Sequence, residues 1–241
     1  MSRALVTGGA SGIGAATAAR LRRDGMRVAV VDVDAERLEH AEAEFRSVAN
    51  VAAEEEIGRA VDESAAALGG LDVVVACAGV IGRGTVADTP LEEWERVFAV
   101  NVRGVFLTAK AAIPHLREAG GGAIVVVASQ LGFVAAADAA AYCASKGAAV
   151  QLTRAMALDH AAEGIRVNCV CPGPTLTPMT ETFFALAADP ADEQRRFEQA
   201  QAHRRLIQPE EIADAIAYLA SPAASSTIGA ALIVDGGYSI R

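Results

Sequence analysis

Ala4-Leu5-Val6-Thr7-Gly8-Gly9-Ala10-Ser11-Gly12-Ile13-Gly14 decides the fold. Its apolar start reads as a buried strand, its glycines as a tight turn, and the amphipathic stretch that begins at residue 13 as a helix. Glycines let the backbone turn sharply and approach a pyrophosphate, which the free N–H groups and positive dipole of a helix start then hold. Tight strand-to-helix turns use glycine for other reasons too, so the turn alone is weak evidence. Its context strengthens it, because Asp32 stands eighteen residues beyond Gly14 at the end of the next apolar run, where a ribose-binding carboxylate is expected.

Working outward, the chain keeps alternating short apolar runs with longer amphipathic ones. Strands are expected at Ala4–Thr7, Arg27–Val31, Asp72–Ala76, Ala123–Ser129, Arg166–Val170 and Ala231–Val234, with a weak one near Ser47–Ala49. Helices are expected at 13–24, 35–46, 54–68, 91–118 with a break near Gly104, 140–162 and 209–220. The strand runs are continuously apolar, as in strands buried on both faces. The expected fold is therefore α/β: a single doubly wound Rossmann-type domain over residues 1–241, with a seven-stranded parallel sheet and helices on both faces. Ligands bind such sheets at the carboxyl ends of the strands. Residues 178–208 fit no strand and are expected to form a substrate lid.

A net charge of −9 without a basic cluster argues against nucleic acid as a partner. The apolar runs are too short for a membrane span, and Met1-Ser2-Arg3 leads directly into a strand, so a cytoplasmic protein is expected. Cys77, Cys143, Cys169 and Cys171 are read as buried free thiols. The Cys169-Val170-Cys171 pair is placed on opposite faces of its strand, unable to chelate one ion, and no metal is expected.

Asp32 would accept hydrogen bonds from an adenosine ribose and repel a 2′-phosphate, which selects NAD; Val33 and Gly9-Ala10-Ser11 offer no Arg or Lys to reverse that choice. The alternative role for Asp32, capping the following helix, is served better by Asp34. Tyr142-Cys143-Ala144-Ser145-Lys146 sets a phenol and an ammonium four residues apart on one helix face. A nearby cation favours the phenolate and lowers the tyrosine pKa toward the working range of a general base. Tyr-x-x-x-Lys arises often by chance, and it gains weight here from Ser129, expected at the end of the fifth strand, and from Asn101, read as bending its helix and holding a water.

Taken together these residues resemble the classical short-chain dehydrogenase/reductase family, which carries Thr-Gly-x-x-x-Gly-x-Gly, then Asn, Ser and Tyr-x-x-x-Lys. The resemblance spans essentially the whole chain. It includes Cys77-Ala78-Gly79 where the family has Asn-Ala-Gly, Pro172-Gly173 followed by Thr177, Pro209-Glu210-Glu211-Ile212-Ala213, and Val234-Asp235-Gly236-Gly237. It implies an NAD-dependent oxidoreductase that moves hydride between the cofactor and a secondary alcohol or its ketone. Tyr142 would be the acid/base, Lys146 would hold the nicotinamide ribose and lower the tyrosine pKa, Ser129 would orient the substrate oxygen, and Asn101 would carry a relay water. Cofactor contacts would come from Gly8, Ser11, Gly12, Ile13, Gly14, Asp32, Asn50, Val51, Cys77, Ala78, Gly79, Tyr142, Lys146, Pro172, Gly173, Thr175 and Thr177. A homotetramer built on the helices near 105–118 and 140–162 is implied as well.

Cys77, Asn50-Val51 and Ile207 depart from the family pattern, which puts a strand link, an adenine contact and the end of the lid in question. A 3-oxoacyl carrier-protein reductase of the same family is the nearest alternative, but such enzymes typically use NADPH, against Asp32. A non-catalytic NAD-sensing scaffold would be expected to lose Tyr142 or Lys146, and sugar epimerases or dehydratases of the extended relatives use another glycine spacing. Met179, Phe183 and Leu186 recur at helical spacing as an apolar face for the lid, and Leu131 and Phe133 add apolar surface. Glu193, Arg195, Arg196, Glu198, Arg204 and Arg205 are mixed in sign and read as solvated, so a small, largely uncharged alcohol is the expected substrate.

Overall fold

The computed structural model describes residues 1–185 and 187–240. Seven strands, β1 (Arg3–Thr7), β2 (Arg27–Asp32), β3 (Phe45–Val48), β4 (Val73–Ala76), β5 (Gly122–Val127), β6 (Ile165–Pro172) and β7 (Ala231–Val234), form one sheet in the order β3-β2-β1-β4-β5-β6-β7. Every pair is parallel. Alternate residues serve opposite faces: Leu5, Ala29, Val74 and Ile124 enter one core, while Val6, Val30, Val75 and Val125 enter the other. Helices α3 (Glu54–Leu68), α5 (Gly104–Glu118) and α6 (Ala140–His160) cover the first face, and α1 (Gly12–Arg23) and α9 (Pro209–Ala220) the second.

Four expectations need correction. The helix expected over 35–46 is only α2, Ala35–Glu39. Glu44 turns the chain toward the sheet edge: its N–H donates to the Val28 carbonyl at 2.9 Å and its carboxylate accepts the Val28 N–H at 2.6 Å, which starts β3 two residues early. The long helix is not broken at Gly104 but widened into a π turn, Ala99–Arg103, between α4 (Leu91–Phe98) and α5. Strand β5 stops at Val127, so Ser129 lies beyond it and caps the 3₁₀ turn Gln130–Gly132, accepting the Leu131 N–H at 3.1 Å. Finally, residues two apart on a strand share a face. Cys169 and Cys171 both enter the first core with their sulfurs 3.9 Å apart, while Cys77 and Cys143 are only partly buried.

The stretch Leu91–Glu118 is long and apolar enough to cross a membrane by length and composition, yet Val97, Val105, Leu107, Ala112 and Leu116 are buried in the fold. Two further helices, α7 (Pro178–Ala185) and α8 (Pro190–Gln199), occupy the region expected as a lid. Ile207 is buried and closes its base, bonding Pro174 and Leu176 backbone to backbone.

Arg166 on β6 reaches the end of α9, where its guanidinium donates to the carbonyls of Leu219, Ala220, Ser221 and Ala224 at 2.8–3.2 Å. The last carbonyls of a helix have no partner inside it, and a cation there also answers the negative end of the dipole. Replacing Arg166 by Met is expected to lower the unfolding free energy by about 2–4 kcal/mol, as charged hydrogen bonds to buried carbonyls are lost. Urea denaturation measures it, and a loss below about 0.5 kcal/mol would show that water replaces the guanidinium at little cost.

Candidate active site

Where the sheet order reverses between β1 and β4, a cleft of about 770 Å³ opens at the carboxyl ends of the strands. The glycine turn forms its floor. Gly8 has a φ of +64°, and a Cβ there would lie 2.6 Å from the Ala78 Cα, while one on Gly14 would overlap the Gly8 carbonyl. Only glycine lets β1, β4 and α1 converge here. Ser11 is the N-cap of α1 but makes no side-chain cap bond, so N–H groups of that helix face the cleft unsatisfied by the cap. Ser11, Gly12 and Ile13 line the same wall. Such a cradle suits a pyrophosphate.

Asp32 ends β2 at the rim of the cleft, its carboxylate accepting the Ala10 N–H at 3.0 Å and the Asp34 N–H at 3.1 Å. Asp34 is the actual helix cap, bonding the Arg37 N–H. These bonds aim Asp32 across the turn. Asn50 and Val51 form the neighbouring wall; the Asn50 amide oxygen accepts the Ala52 N–H at 2.9 Å, and Val51 is buried where any Cβ on Gly104 would strike it. Cys77, Ala78 and Gly79 complete the floor. The link put in question by Cys77 is carried by its backbone, whose N–H donates to the Thr7 hydroxyl at 3.2 Å. Burial pushes the Cys77 thiol up to about 12 and keeps it protonated.

Across the cleft stand Ser129, Tyr142 and Lys146, with Pro172, Gly173, Thr175 and Thr177 closing the end beyond β6. Lys146 is buried, its Nζ donating to the Val127 carbonyl at 3.0 Å and lying 5.6 Å from the Tyr142 ring centre. Asn101 does not line the cleft. It is buried in the π turn behind it, with Oδ1 accepting the Val80 N–H at 2.8 Å and Nδ2 donating to the Val80 carbonyl at 2.9 Å and the Ser145 hydroxyl at 3.0 Å. Both N–H donors of its amide are thus spent on protein groups, and Oδ1 has accepted one of its two bonds.

The expected lowering of the Tyr142 pKa is not met by the protein alone. Burial pushes the phenol up to about 12, with Ser129 working against that rise, and burial pulls the Lys146 ammonium down to about 8. Desolvation disfavours each charged form and exceeds what a cation bonded elsewhere restores.

In the lid region Met179 and Phe183 line the cleft, whereas Leu186 lies outside the described residues and Phe133 is exposed away from it. Rings of Phe183, Phe184 and Phe197 meet edge to face at 5.2–6.3 Å. The mixed charges pair locally, Arg195 with Asp192 and Arg196 with Glu193, and Arg205 clasps Glu211 at the start of α9. Leu131 lines the cleft as expected, but Arg83, Asp138 and Phe197 also do so and carried no local signal. Arg83 and Asp138 arrive through a bridge between Gly84 and Ala139, which pairs two loops distant in sequence, and Phe197 arrives on α8.

A family model described as enoyl-(acyl carrier protein) reductase matches residues 8–239. The chain is 41% identical to the 2-(R)-hydroxypropyl-CoM dehydrogenase of Xanthobacter autotrophicus, covering 99% of each. It is 42% identical to the cis-4-hydroxycyclohexanecarboxylate dehydrogenase of Sinomonas cyclohexanicum, covering 98% of this chain and 95% of that one. The crystal structure of levodione reductase superposes with a TM-score of 0.96 at 32% identity, covering 100% of this chain and 98% of that one. The chain belongs to the short-chain dehydrogenase/reductase family of oxidoreductases.

A base must be ionised to take a proton and an acid protonated to give one. If the Tyr142 phenol, held high by burial, serves as base and acid, alcohol oxidation should climb through the alkaline range while ketone reduction falls over the same interval. Ser129 lowers the phenol, so Ser129→Ala should move the midpoint of oxidation to higher pH. Stopped-flow rates with chemistry rate-limiting measure both; a flat profile, or a midpoint shifted downward, contradicts the assignment.

Proposed function

We propose that this chain is an NAD-dependent dehydrogenase of secondary alcohols, reversible toward the ketone, with Tyr142 as acid/base. The observation that carries it is the convergence of Ser129, Tyr142 and Lys146 in one cleft with the glycine cradle and the Asp32 carboxylate. Both relatives act, by name, on compounds with a hydroxyl on a propyl or cyclohexane carbon, which supports an alcohol over a carrier-protein thioester.

With the dinucleotide's pyrophosphate in the cradle, its nicotinamide would supply the hydride acceptor. Lys146 would hold its ribose, and the backbone at Thr175 with the side chain of Thr177 would fix the carboxamide and hence the reacting face. Ser129 would hold the substrate oxygen and Tyr142 would take its proton. The positive charge of the oxidised nicotinamide, arriving beside a phenol raised by burial, favours the phenolate. Asn101 joins the Val80 loop to α6, and a relay water there could reach its amide only through the second lone pair of Oδ1. One domain with residues 178–208 as substrate lid is the organisation that the cleft lining by Met179 and Phe183 supports. Four free thiols among the described residues fit the cytoplasm. A homotetramer through α5 and α6 remains part of the proposal, and exposed Phe106 and Leu158 on those helices support it.

Tyr142→Phe removes the transferable proton with little change in volume, and is expected to cut kcat by about a thousandfold or more while NADH binds with nearly unchanged Kd. Near-normal turnover in that variant would refute the role. Asp32 should favour NAD over NADP by one to several powers of ten in kcat/KM, the equivalent of about 1–3 kcal/mol or more from a lost hydrogen bond and charge repulsion. Equal efficiencies with the two cofactors would contradict it.

A further inference from the structure

We propose that the secondary alcohol this enzyme oxidises carries an anionic group, received by the guanidinium of Arg83 stacked on the lid residue Phe183. This rests on the alcohol-dehydrogenase reading above and names the substrate class within it. The Arg83 guanidinium lies 4.2 Å from the centre of the Phe183 ring. That ring is itself braced by Phe197 at 5.4 Å, and all three side chains line the cleft. Stacking uses only the face of a guanidinium, and its N–H donors lie in the plane. Among the described residues those donors meet no carboxylate or carbonyl, and Arg83 is exposed at the mouth of the cleft, so its charged fork faces solvent and is open to an incoming anion.

The other charges of the cleft already have a protein partner, and Lys146 and Asp32 are reserved for the cofactor in the reading above. Lys146 bonds the Val127 carbonyl, Arg196 pairs with Glu193 at 2.6 Å, and Asp32 accepts two backbone N–H groups. Asp138 lines the same mouth, its carbonyl accepting the Gly84 N–H at 2.9 Å, and no ion pair joins its carboxylate to Arg83. Asp138 has a φ of +54°, a left-handed conformation uncommon away from glycine, which holds this wall in a defined shape. An anion entering here is recognised by the geometry of the fork, since the chain as a whole is acidic and offers it no general attraction. The expectation of an uncharged substrate weighed only the arginines of the lid, of which Arg205 is indeed committed to Glu211.

The test uses matched pairs of alcohols with NAD: 2-butanol against 3-hydroxybutanoate, and cyclohexanol against 4-hydroxycyclohexanecarboxylate. A carboxylated member should be preferred by about tenfold or more in kcat/KM. Arg83→Ala should lower that value by about tenfold or more, chiefly through KM, and leave the neutral alcohol within about twofold. Arg83→Lys should recover only part, because an ammonium lacks the planar fork. Preference for the neutral member in both pairs, no change in Arg83→Ala, or an equal loss on both members would overturn the proposal while leaving the dehydrogenase reading intact. If neither member is oxidised, that reading fails instead. The anion site is then judged by titrating cyclohexanecarboxylate into the enzyme–NADH complex and following cofactor fluorescence. An unchanged Kd in Arg83→Ala would overturn it there too.

Discussion

The amide of Asn101 joins segments that the chain keeps far apart. Its oxygen and nitrogen grip both backbone groups of Val80, and the nitrogen also reaches the Ser145 hydroxyl one residue before Lys146. A buried amide with both donors and one acceptor position satisfied is costly to disturb, so it fixes the distance between the loop after β4 and helix α6. The π turn of residues 99–103 is what brings Asn101 into reach, since the extra residue in a widened turn re-aims a side chain that a regular helix would direct elsewhere. Gly79 lies against this knot, with room for a Cβ only 3.4 Å from Asn101 Oδ1 and 3.5 Å from Lys146 Nζ.

Around that knot burial shifts the two ionisable side chains of the cleft in the sense that disfavours charge. Lys146 is driven toward neutrality and Tyr142 toward the protonated phenol by the same burial. A proton then moves only when a compensating charge enters, which ties ionisation of the phenol to occupation of the cleft. In an open cleft a permanently ionised phenolate would meet water first.

Much of this was legible in the sequence because it follows from local rules. Continuous apolar runs between amphipathic ones gave seven parallel strands, and helices α3 and α9 fell at their expected bounds, 54–68 and 209–220. The glycine turn and Asp32 were legible because spacing along one strand–turn–helix unit fixes their geometry. Helix α2 was overextended because Glu44 serves the sheet edge through contacts with Val28, a partner sixteen residues away. The cysteine pair was misplaced by an error of strand periodicity, which the shared core face of Cys169 and Cys171 corrects. Arg83 escaped notice because nothing adjacent to it marks it; only the pairing of Gly84 with Ala139 and the fold of the lid carry it to Phe183.

What the chain supplies is a cradle for a dinucleotide, a phenol poised beside it, and a mouth with one uncommitted guanidinium. The claim at the centre is that hydride leaves a carbinol carbon in this cleft and goes to the cofactor. Secondary alcohols deuterated at that carbon, neutral and carboxylated, test it directly when the NADH formed is examined by mass spectrometry. The account predicts NADH carrying one deuterium, with a slower rate when chemistry limits turnover. NADH that forms without the label, or no NADH from any member of the panel, would contradict it.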